Sequence, residues 1–242
     1  MGFSDWPLVI GHRGAAGLAP ENTLPGFELA YQLGVSGIEL DVHLVANHLV
    51  VIHDDTLERT TNGRGKFADL DLATLRRFDA GNGSTIPLLE EVLAQLPPGV
   101  GVNIELKGSQ TAEPTAKFLA AYRELDVLVS SFEHRELTHF HRLNPQVRVA
   151  PLFHRWRRDV WQTVTALDAW SINLSLKIVN RTIIEEAENQ GVKLLIYTVN
   201  DLSEARRVLG LGATGLFTDY PDLVTPDVLT DLSLFPDDNA HR

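Results

Sequence analysis

The chain of 242 residues contains no cysteine. Disulfide bonds and thiolate metal sites are therefore excluded, and any metal must be bound through oxygen or imidazole ligands. The sequence also lacks a run of about 18 consecutive apolar residues, so it predicts no transmembrane helix. Its first seven residues lack the basic and apolar regions of a signal peptide, which makes a cytoplasmic location the expectation.

Basic residues are scarce as well. Lysine and arginine together number 21 against 32 aspartates and glutamates, which gives a formal net charge of −11. No basic stripe is visible, so a nucleic-acid partner is excluded and a purely electrostatic membrane anchor is disfavoured. What the chain does contain is ordinary for a globular protein with a sizeable core, because 44% of its residues are hydrophobic and 22% are charged.

Strand-like apolar runs alternate with helix-like segments almost throughout the chain. This alternation predicts a parallel sheet covered by helices, and eight strands in a chain of this length are typical of an α/β fold, the (β/α)8 TIM barrel. The predicted strands comprise residues 8–11, 37–42, 100–107, 127–132, 147–152, 169–172, 193–199 and 215–218. The helix-like segments between them comprise residues 25–33, 115–124, 135–143, 160–167, 181–189 and 202–209.

One region interrupts the alternation. After a further extended piece at residues 49–53, residues 54–98 combine turn-rich sequence with short helical patterns at 70–78 and 88–96. This segment is too irregular to form a domain with its own core. We therefore expect a single catalytic barrel domain over residues 1–242, with a small insertion after the second strand at about residues 54–98.

The second strand carries two carboxylates, Glu39 and Asp41. Residues at i and i+2 of a strand point to the same face, so these two negative charges must be offset. A divalent cation is the simplest way to do so. Glu105 and Lys107 repeat the same spacing on the next strand, and the three acids form an oxygen-rich set suited to one Mg²⁺ or Ca²⁺ ion.

Other charged residues stand where strands end. His12 and Arg13 follow the first strand, and His53 ends the extended piece. For any one of them, a satisfied polar residue at a strand end is the ordinary explanation. Taken together they indicate a site, because functional residues of such barrels cluster at the carboxyl ends of the strands. Arg13 and Lys107 beside a metal are suited to binding a phosphoryl group, and His12 and His53 to acting as an acid and base pair.

Weaker sequence evidence concerns two aromatic residues and the start of the first helix. Tyr197 ends the seventh strand and is expected to wall the pocket, whereas Phe217 on the last strand either packs the barrel floor or lines the site. Asn22 or Thr23 is the expected N-cap of the first helix, because both residue types accept hydrogen bonds from free helical N–H groups.

The ordered series of these segments resembles the glycerophosphodiester phosphodiesterase family over roughly residues 8–224. A lone His-Arg-Gly is weak evidence, but the whole series lies on the strands where the pattern predicts the site. The segments that carry the resemblance are Gly11-His12-Arg13-Gly14, Pro20-Glu21-Asn22-Thr23, Glu39-Leu40-Asp41-Val42, His53-Asp54, Arg59-Thr60-Thr61, Asn103-Ile104-Glu105-Leu106-Lys107, Ser131-Phe132, Tyr197-Thr198-Val199-Asn200 and Phe217-Thr218-Asp219-Tyr220-Pro221.

The resemblance implies a TIM barrel that hydrolyses small-molecule glycerophosphodiesters, such as glycerophosphocholine and glycerophosphoethanolamine, to sn-glycerol 3-phosphate and an alcohol. It implies that Glu21 organises the loop after the first strand and that Asn22 caps the helix. Many members carry tryptophan where this chain has Tyr197, which affects the preference for the alcohol. The remaining implied roles are a divalent metal on Glu39, Asp41 and Glu105, acid–base catalysis by His12 and His53, and phosphate binding by Arg13 and Lys107.

Several alternatives stay open at the level of sequence. A lysophospholipase D or sphingomyelinase-D-like phosphodiesterase would use the same groups, and a non-catalytic barrel that binds phosphorylated ligands is a further, weaker candidate. The choices between Mg²⁺ and Ca²⁺, between attack by the glycerol 2-hydroxyl and by water, and between His12 and His53 as the acid are not decided by the sequence. Neither is the choice between a monomer and a homodimer.

Overall fold

A computed structural model of the chain describes residues 2–3 and 6–230, so the acidic tail at residues 235–238 lies outside it. The strands of the described part are β1 (Leu8–Gly11), β2 (Gly37–Val45), β3 (His48–Val51), β4 (Gly101–Leu106), β5 (Val127–Ser131), β6 (Arg148–Phe153), β7 (Ser171–Ser175), β8 (Lys193–Tyr197) and β9 (Gly215–Thr218). The helices are α1 (Leu24–Gln32), α2 (Leu72–Leu75), α3 (Leu89–Ala94), α4 (Ala112–Leu119), α5 (His134–Leu143), α6 (Val160–Ala166), α7 (Arg181–Asn189), α8 (Leu202–Gly210) and α9 (Pro226–Thr230).

Eight of the strands close into a parallel barrel. The sheet runs in the order β1-β9-β8-β7-β6-β5-β4-β2, and β1 also pairs with β2, so no edge is left between the first and last strand. Strand β3 stays outside the barrel and pairs antiparallel with β2. The predicted (β/α)8 TIM barrel is therefore confirmed, and the carboxyl ends of all eight barrel strands meet at one end of the molecule.

Several predicted element boundaries were wrong, among them those of β7 and of α4, which ends at Leu119 instead of residue 124. Helix α4 begins at Ala112, three residues before the predicted start, because Pro114 lies in the first turn, where its missing N–H is not needed. Strand β7 covers Ser171–Ser175 instead of residues 169–172. Its polar Asn173 lies inside the strand, where the side chain is buried and its Oδ1 accepts a hydrogen bond from Ser171 Oγ at 3.1 Å.

The insertion packs against the β2–β3 hairpin. Buried residues from the segment between β3 and β4 join hairpin residues in one hydrophobic cluster, separate from the clusters that fill the barrel and its helical layer. Helices α2 and α3 lie in this segment. The insertion is thereby anchored beside the carboxyl ends of the barrel strands, and the organisation as one catalytic domain stays a prediction. No helix in the described residues has the length and apolar character needed to cross a bilayer.

The floor of the barrel is filled by Phe3. Its ring lies where side chains at Gly37 and Gly101 would otherwise project, since a Cβ atom at these positions would come within 2.8 and 2.9 Å of the ring. Phe3 is 2% exposed, and its backbone N–H donates to Asp126 Oδ2 at 2.7 Å. Above it, Phe217 belongs to the same interior cluster and also lines the cavity at the other end. Phe217 therefore contributes both to the packed interior and to the wall of the cavity.

Removing the Phe3 ring should destabilise the barrel strongly. We expect Phe3→Ala to lower the free energy of unfolding by about 3–5 kcal/mol, because a large cavity would open between two strands that carry no side chain there. Urea denaturation measures this change. Leu143→Ala is the control, since Leu143 is 49% exposed and its truncation should change stability by less than about 0.5 kcal/mol. Equal effects of the two substitutions would contradict the assignment of Phe3 as the floor.

Candidate active site

A cavity of about 290 Å³ opens at the carboxyl end of the barrel strands. All nine residues that the sequence singled out lie in this cavity or in contact with its walls. Asp41 and Lys107 do not line the cavity themselves but lie next to a residue that does. Lys107 Nζ is 2.8 Å from Oε1 of the lining residue Glu105 and 3.6 Å from Asp41 Oδ1. The side chains that line the cavity directly are those of His12, Arg13, Glu39, His53, Asn103, Glu105, Phe132, Leu152, Tyr197, Thr198 and Phe217.

Three buried carboxylates form the acidic centre of the cavity. Strands β2 and β4 place Asp41 directly opposite Glu105, and Glu39 lies two residues earlier on the same face. One carboxylate oxygen from each residue lies within 4.8 Å of the others. Among the described residues, this is the one group of three or more potential ligands that approach so closely. Such a cluster of buried oxygens fits a hard divalent cation.

The electrostatics of these carboxylates also favour a cation. Burial raises the pKa of Glu39 well above its usual range, and the charges of Asp41 and Glu105 add to this rise. Burial together with the charge of Asp41 raises the pKa of Glu105 to about 7. Glu39 Oε1 and Asp41 Oδ1 are buried and accept no hydrogen bond from any residue that the structure describes. The two oxygens are therefore available as ligands, and the residues present fit a divalent metal.

Asp41 differs from the other two acids because it is held by an asparagine. Asn22 Nδ2 donates to Asp41 Oδ2 at 2.8 Å, and the backbone N–H of Asp41 donates to Asn22 Oδ1 at 3.3 Å. The implied role of Asn22 as the helix cap was therefore wrong. Thr23 caps α1 instead, because its Oγ1 accepts from the Gly26 N–H at 3.2 Å. Burial opposes ionisation of Asp41, but the charges of Lys107 and Arg13 outweigh it and keep its pKa below the usual value.

His12 is oriented by a carboxylate that the sequence reasoning did not assign. Its Nδ1 lies 2.6 Å from Asp219 Oδ1, and its Nε2 lies 4.0 Å from Glu39 Oε2. Asp219 is fixed in turn by Asn200, whose Nδ2 donates to Asp219 Oδ2 at 2.6 Å and whose Oδ1 accepts from the Asp219 N–H at 2.8 Å. The available signal was an acid immediately after the last strand, at the same end of the barrel as His12.

His53 is oriented by a carboxylate in the same way. Its Nδ1 lies 2.5 Å from Asp54 Oδ1, and its Nε2 lies 3.1 Å from Lys107 Nζ. Because an ammonium group can only donate, His53 Nε2 accepts and Nδ1 carries the proton to Asp54. Burial, with the positive charges of Lys107 and Arg13, lowers the pKa of His53 below its usual value. His43 supports the segment by placing its Nε2 3.0 Å from the His53 carbonyl oxygen.

Arg13 and Lys107 place positive charge beside the carboxylates. The backbone N–H of Arg13 donates to Glu39 Oε2 at 2.9 Å, and its guanidinium donates from Nη1 to Glu21 Oε1 at 2.8 Å. This agrees with the implied role of Glu21 in organising the loop. Lys107 is buried against acids, and the charges of Glu105 and Asp41 outweigh desolvation and raise its pKa. Both cations therefore stay charged at the edge of the cavity.

Part of the cavity wall is aromatic. The rings of Phe132 and Tyr197 meet edge to face at 5.9 Å between centroids, and His154 lies 5.8 Å from Phe132. The hydroxyl of Tyr197 is buried without a hydrogen-bond partner among the described residues. The cavity thus combines a charged half, suited to a phosphodiester, with an apolar half that carries one unsatisfied hydroxyl.

The chain matches the glycerophosphoryl diester phosphodiesterase family over residues 12–223. It is 35% identical over 234 residues to a glycerophosphodiester phosphodiesterase of Bacillus altitudinis, covering 88% of this chain and 95% of that protein. It is 34% identical over 230 residues to a glycerophosphodiester phosphodiesterase of Caldanaerobacter subterraneus, and the match covers 89% of this chain and 95% of that protein. Its fold is similar to that of an Oleispira antarctica phosphodiesterase solved with the product sn-glycerol-3-phosphate, with a TM-score of 0.84, 32% identity and coverage of 89% and 94%.

Proposed function

The chain belongs to the glycerophosphoryl diester phosphodiesterase family, and on this premise we propose that it hydrolyses sn-glycero-3-phospho-alcohols to sn-glycerol 3-phosphate and a free alcohol. The observation that carries the proposal is one cavity that holds three buried carboxylates between two histidines, each paired with a carboxylate of its own. A barrel that only binds phosphorylated ligands has no need of two oriented imidazoles, so the non-catalytic alternative is disfavoured.

Glu39, Asp41 and Glu105 would hold one divalent cation, Mg²⁺ or Ca²⁺. When bound, such an ion stabilises negative charge that develops on the phosphoryl oxygens. The chain's own cations complete the phosphate site. Arg13 offers a planar guanidinium that suits two phosphate oxygens, and Lys107 offers a point charge. Because both are anchored to carboxylates of the site, a phosphodiester would meet them in fixed positions.

His12 and His53 divide the proton transfers. One imidazole accepts the proton of the attacking hydroxyl, which belongs either to the glycerol 2-position or to water, as its oxygen bonds to phosphorus. The other gives a proton to the alcohol oxygen as the bond from that oxygen to phosphorus breaks. If the 2-hydroxyl attacks, the resulting cyclic phosphate is opened by water in a second step with the roles reversed. Asp219 and Asp54 keep each ring in one orientation during these transfers.

The decisive experiment measures release of sn-glycerol 3-phosphate from glycerophosphocholine and glycerophosphoethanolamine. Activity should disappear with EDTA and return with Mg²⁺ or Ca²⁺. Release that survives exhaustive chelation would refute the metal site while leaving the reaction in place. No release with either substrate and either metal would refute the proposed function. A cytoplasmic location and a monomeric or homodimeric state stay predictions of the sequence.

A second candidate, hydrolysis of lysophospholipids, is favoured by the rim of the cavity. Of the six exposed large hydrophobic side chains in the described part of the chain, four lie on loops that follow barrel strands at the open end, namely Leu18, Phe132, Trp156 and Leu223. An acyl chain would find apolar contacts there. The Trp156→Ala variant separates the candidates, because it should lower activity on lysophosphatidylcholine and leave activity on glycerophosphocholine unchanged if the rim binds an acyl chain.

Loss of Lys107 should impair the reaction strongly. We expect Lys107→Ala to lower kcat/KM for glycerophosphocholine by about 10²–10³-fold, because a preorganised positive charge is removed from a partly buried site. Steady-state kinetics on the metal-saturated protein measure the effect. Lys117→Ala is the matched control, since Lys117 is exposed and pairs with Glu113 on the surface of α4. Unchanged kcat/KM in Lys107→Ala would remove Lys107 from the phosphate site.

A further inference from the structure

Arg59 lies in the insertion, outside the cavity lining, and bridges two carboxylates. It donates from Nε to Asp54 Oδ2 at 2.6 Å and from Nη2 to Asp54 Oδ1 at 2.9 Å. It also donates from Nη1 to Glu21 Oε2 at 2.6 Å and from Nη2 to Glu21 Oε1 at 2.9 Å. One guanidinium thus forms a double-sided fork, a geometry that a planar group with five N–H donors allows and an ammonium does not.

Each of the two carboxylates bound by Arg59 contacts a different group of the proposed machinery. Asp54 Oδ1 also lies 2.5 Å from His53 Nδ1, and Glu21 Oε1 also accepts from Arg13 Nη1 at 2.8 Å. His53 and Arg13 come from different segments of the chain, one after β3 and one after β1. Their side chains are therefore connected through a single residue of the insertion.

We propose that Arg59 is a positioning residue that fixes the imidazole of His53 through Asp54 and the guanidinium of Arg13 through Glu21. The expected effect on kinetics rests on the proposed function, whereas the positioning of His53 and Arg13 by Arg59 does not depend on it. Asp54 and Glu21 are partly exposed, with 27% and 17% of their side-chain surface accessible. Without Arg59 both are free to turn toward water, and each would then release the residue it orients.

The two sides of the fork should act on different kinetic constants. Loosening His53 removes an oriented acid–base group, which lowers kcat. Loosening Arg13 weakens contact with the substrate phosphate, which raises KM for glycerophosphocholine. A displacement of about 1 Å in a catalytic group can change the rate about 10²-fold. Arg59→Ala should therefore combine both effects, Asp54→Asn should mainly lower kcat, and Glu21→Gln should mainly raise KM.

The test compares Arg59→Ala and Arg59→Lys with Arg76→Ala in the metal-saturated protein. Arg76 is a matched control, because it forms a bidentate pair with Glu91 at 2.6 and 2.8 Å in the same insertion and touches no residue of the site. We expect Arg59→Ala to lose about 10²-fold in kcat/KM, Arg59→Lys to stay well below wild type because it keeps the charge without the fork, and Arg76→Ala to keep wild-type constants.

A second readout requires no activity. Nitrogen-15 relaxation of the histidine rings should show a rigid His53 imidazole in the wild type and in Arg76→Ala, and a more mobile one in Arg59→Ala. Wild-type kinetic constants in Arg59→Ala, full recovery in Arg59→Lys, or an equally rigid His53 ring in Arg59→Ala would each overturn the inference. If the wild type released no sn-glycerol 3-phosphate, the proposed function would fail, and the comparison of ring mobility would still decide the role of Arg59.

Discussion

Replacing His12 or His53 with alanine should lower kcat for glycerophosphocholine by about 10²–10⁴-fold each, the usual effect of losing a positioned acid or base. The two rings are arranged alike. In each, Nδ1 is held by a carboxylate, at 2.6 Å for His12 and 2.5 Å for His53, and Nε2 faces other groups of the site, Glu39 for His12 and Lys107 for His53. Two imidazoles that line one cavity from different loops can serve the attacking and leaving oxygens of a single phosphorus.

His139→Ala is the control for this prediction, because His139 is exposed on α5 and lies outside the cavity lining. Its turnover should equal that of the wild type. The double variant at His12 and His53 should lose less than the product of the two single losses, since the two residues act in one proton-transfer sequence. Near wild-type turnover in either single variant would remove that histidine from the mechanism.

The same variants assign the acid and the base. A substrate with a more acidic leaving alcohol, such as a glycerophospho-nitrophenol, needs little protonation as it departs. The variant that lacks the acid should therefore regain most of its activity on that substrate, and the variant that lacks the base should not. The sequence left this assignment open, and the near-symmetry of the two carboxylate-paired rings explains why inspection of residue types alone cannot make it.

The fold was predictable because apolar runs and helical patterns alternate with few exceptions. The predictions were wrong where a polar residue serves the interior. Asn173 lies inside β7, where its Oδ1 accepts a hydrogen bond from the hydroxyl of Ser171, and a sequence pattern shows the polarity without the partner. Pro114 similarly suggests a helix boundary, although the first turn of α4 accommodates it.

The site was predictable only in part. Glu39, Asp41, Glu105 and Lys107 reveal themselves by their spacing, because i and i+2 on a strand share a face and neighbouring strand ends meet. The carboxylate partner of His12 gives no such signal. Asp219 is 207 residues from His12 along the chain, and their pairing depends on the closure of β1 against β9. Contacts made by loops depend on loop conformation, which no periodicity encodes.

Metal removal should abolish turnover and also change stability in a pH-dependent way. Glu105 has a pKa of about 7 against an ordinary 4.5 because burial and the charge of Asp41 disfavour its ionised form, and the pKa of Glu39 is also raised. For a carboxylate whose pKa is higher in the folded state, the folded protein binds more protons than the unfolded chain between these two values. The contribution of Glu105 to the stability of the metal-free protein should therefore fall as the pH rises from 4.5 toward 7.

A bound divalent cation should reverse this dependence, because it binds the ionised carboxylates and is absent from the unfolded chain. At a free metal concentration 100 times the Kd, the stabilisation is about 2.7 kcal/mol. Thermal unfolding from pH 5 to pH 8, in EDTA and in excess Mg²⁺ or Ca²⁺, measures the pH dependence of stability without and with the metal. Glu105→Gln provides the internal control, since it removes one of the repelling charges and should raise stability in EDTA at neutral pH, yet weaken the response to metal. If metal leaves the Tm unchanged at pH 8, the charges of these three acids are balanced by Arg13 and Lys107 alone. A loss of turnover in EDTA would then require that the metal binds to other residues.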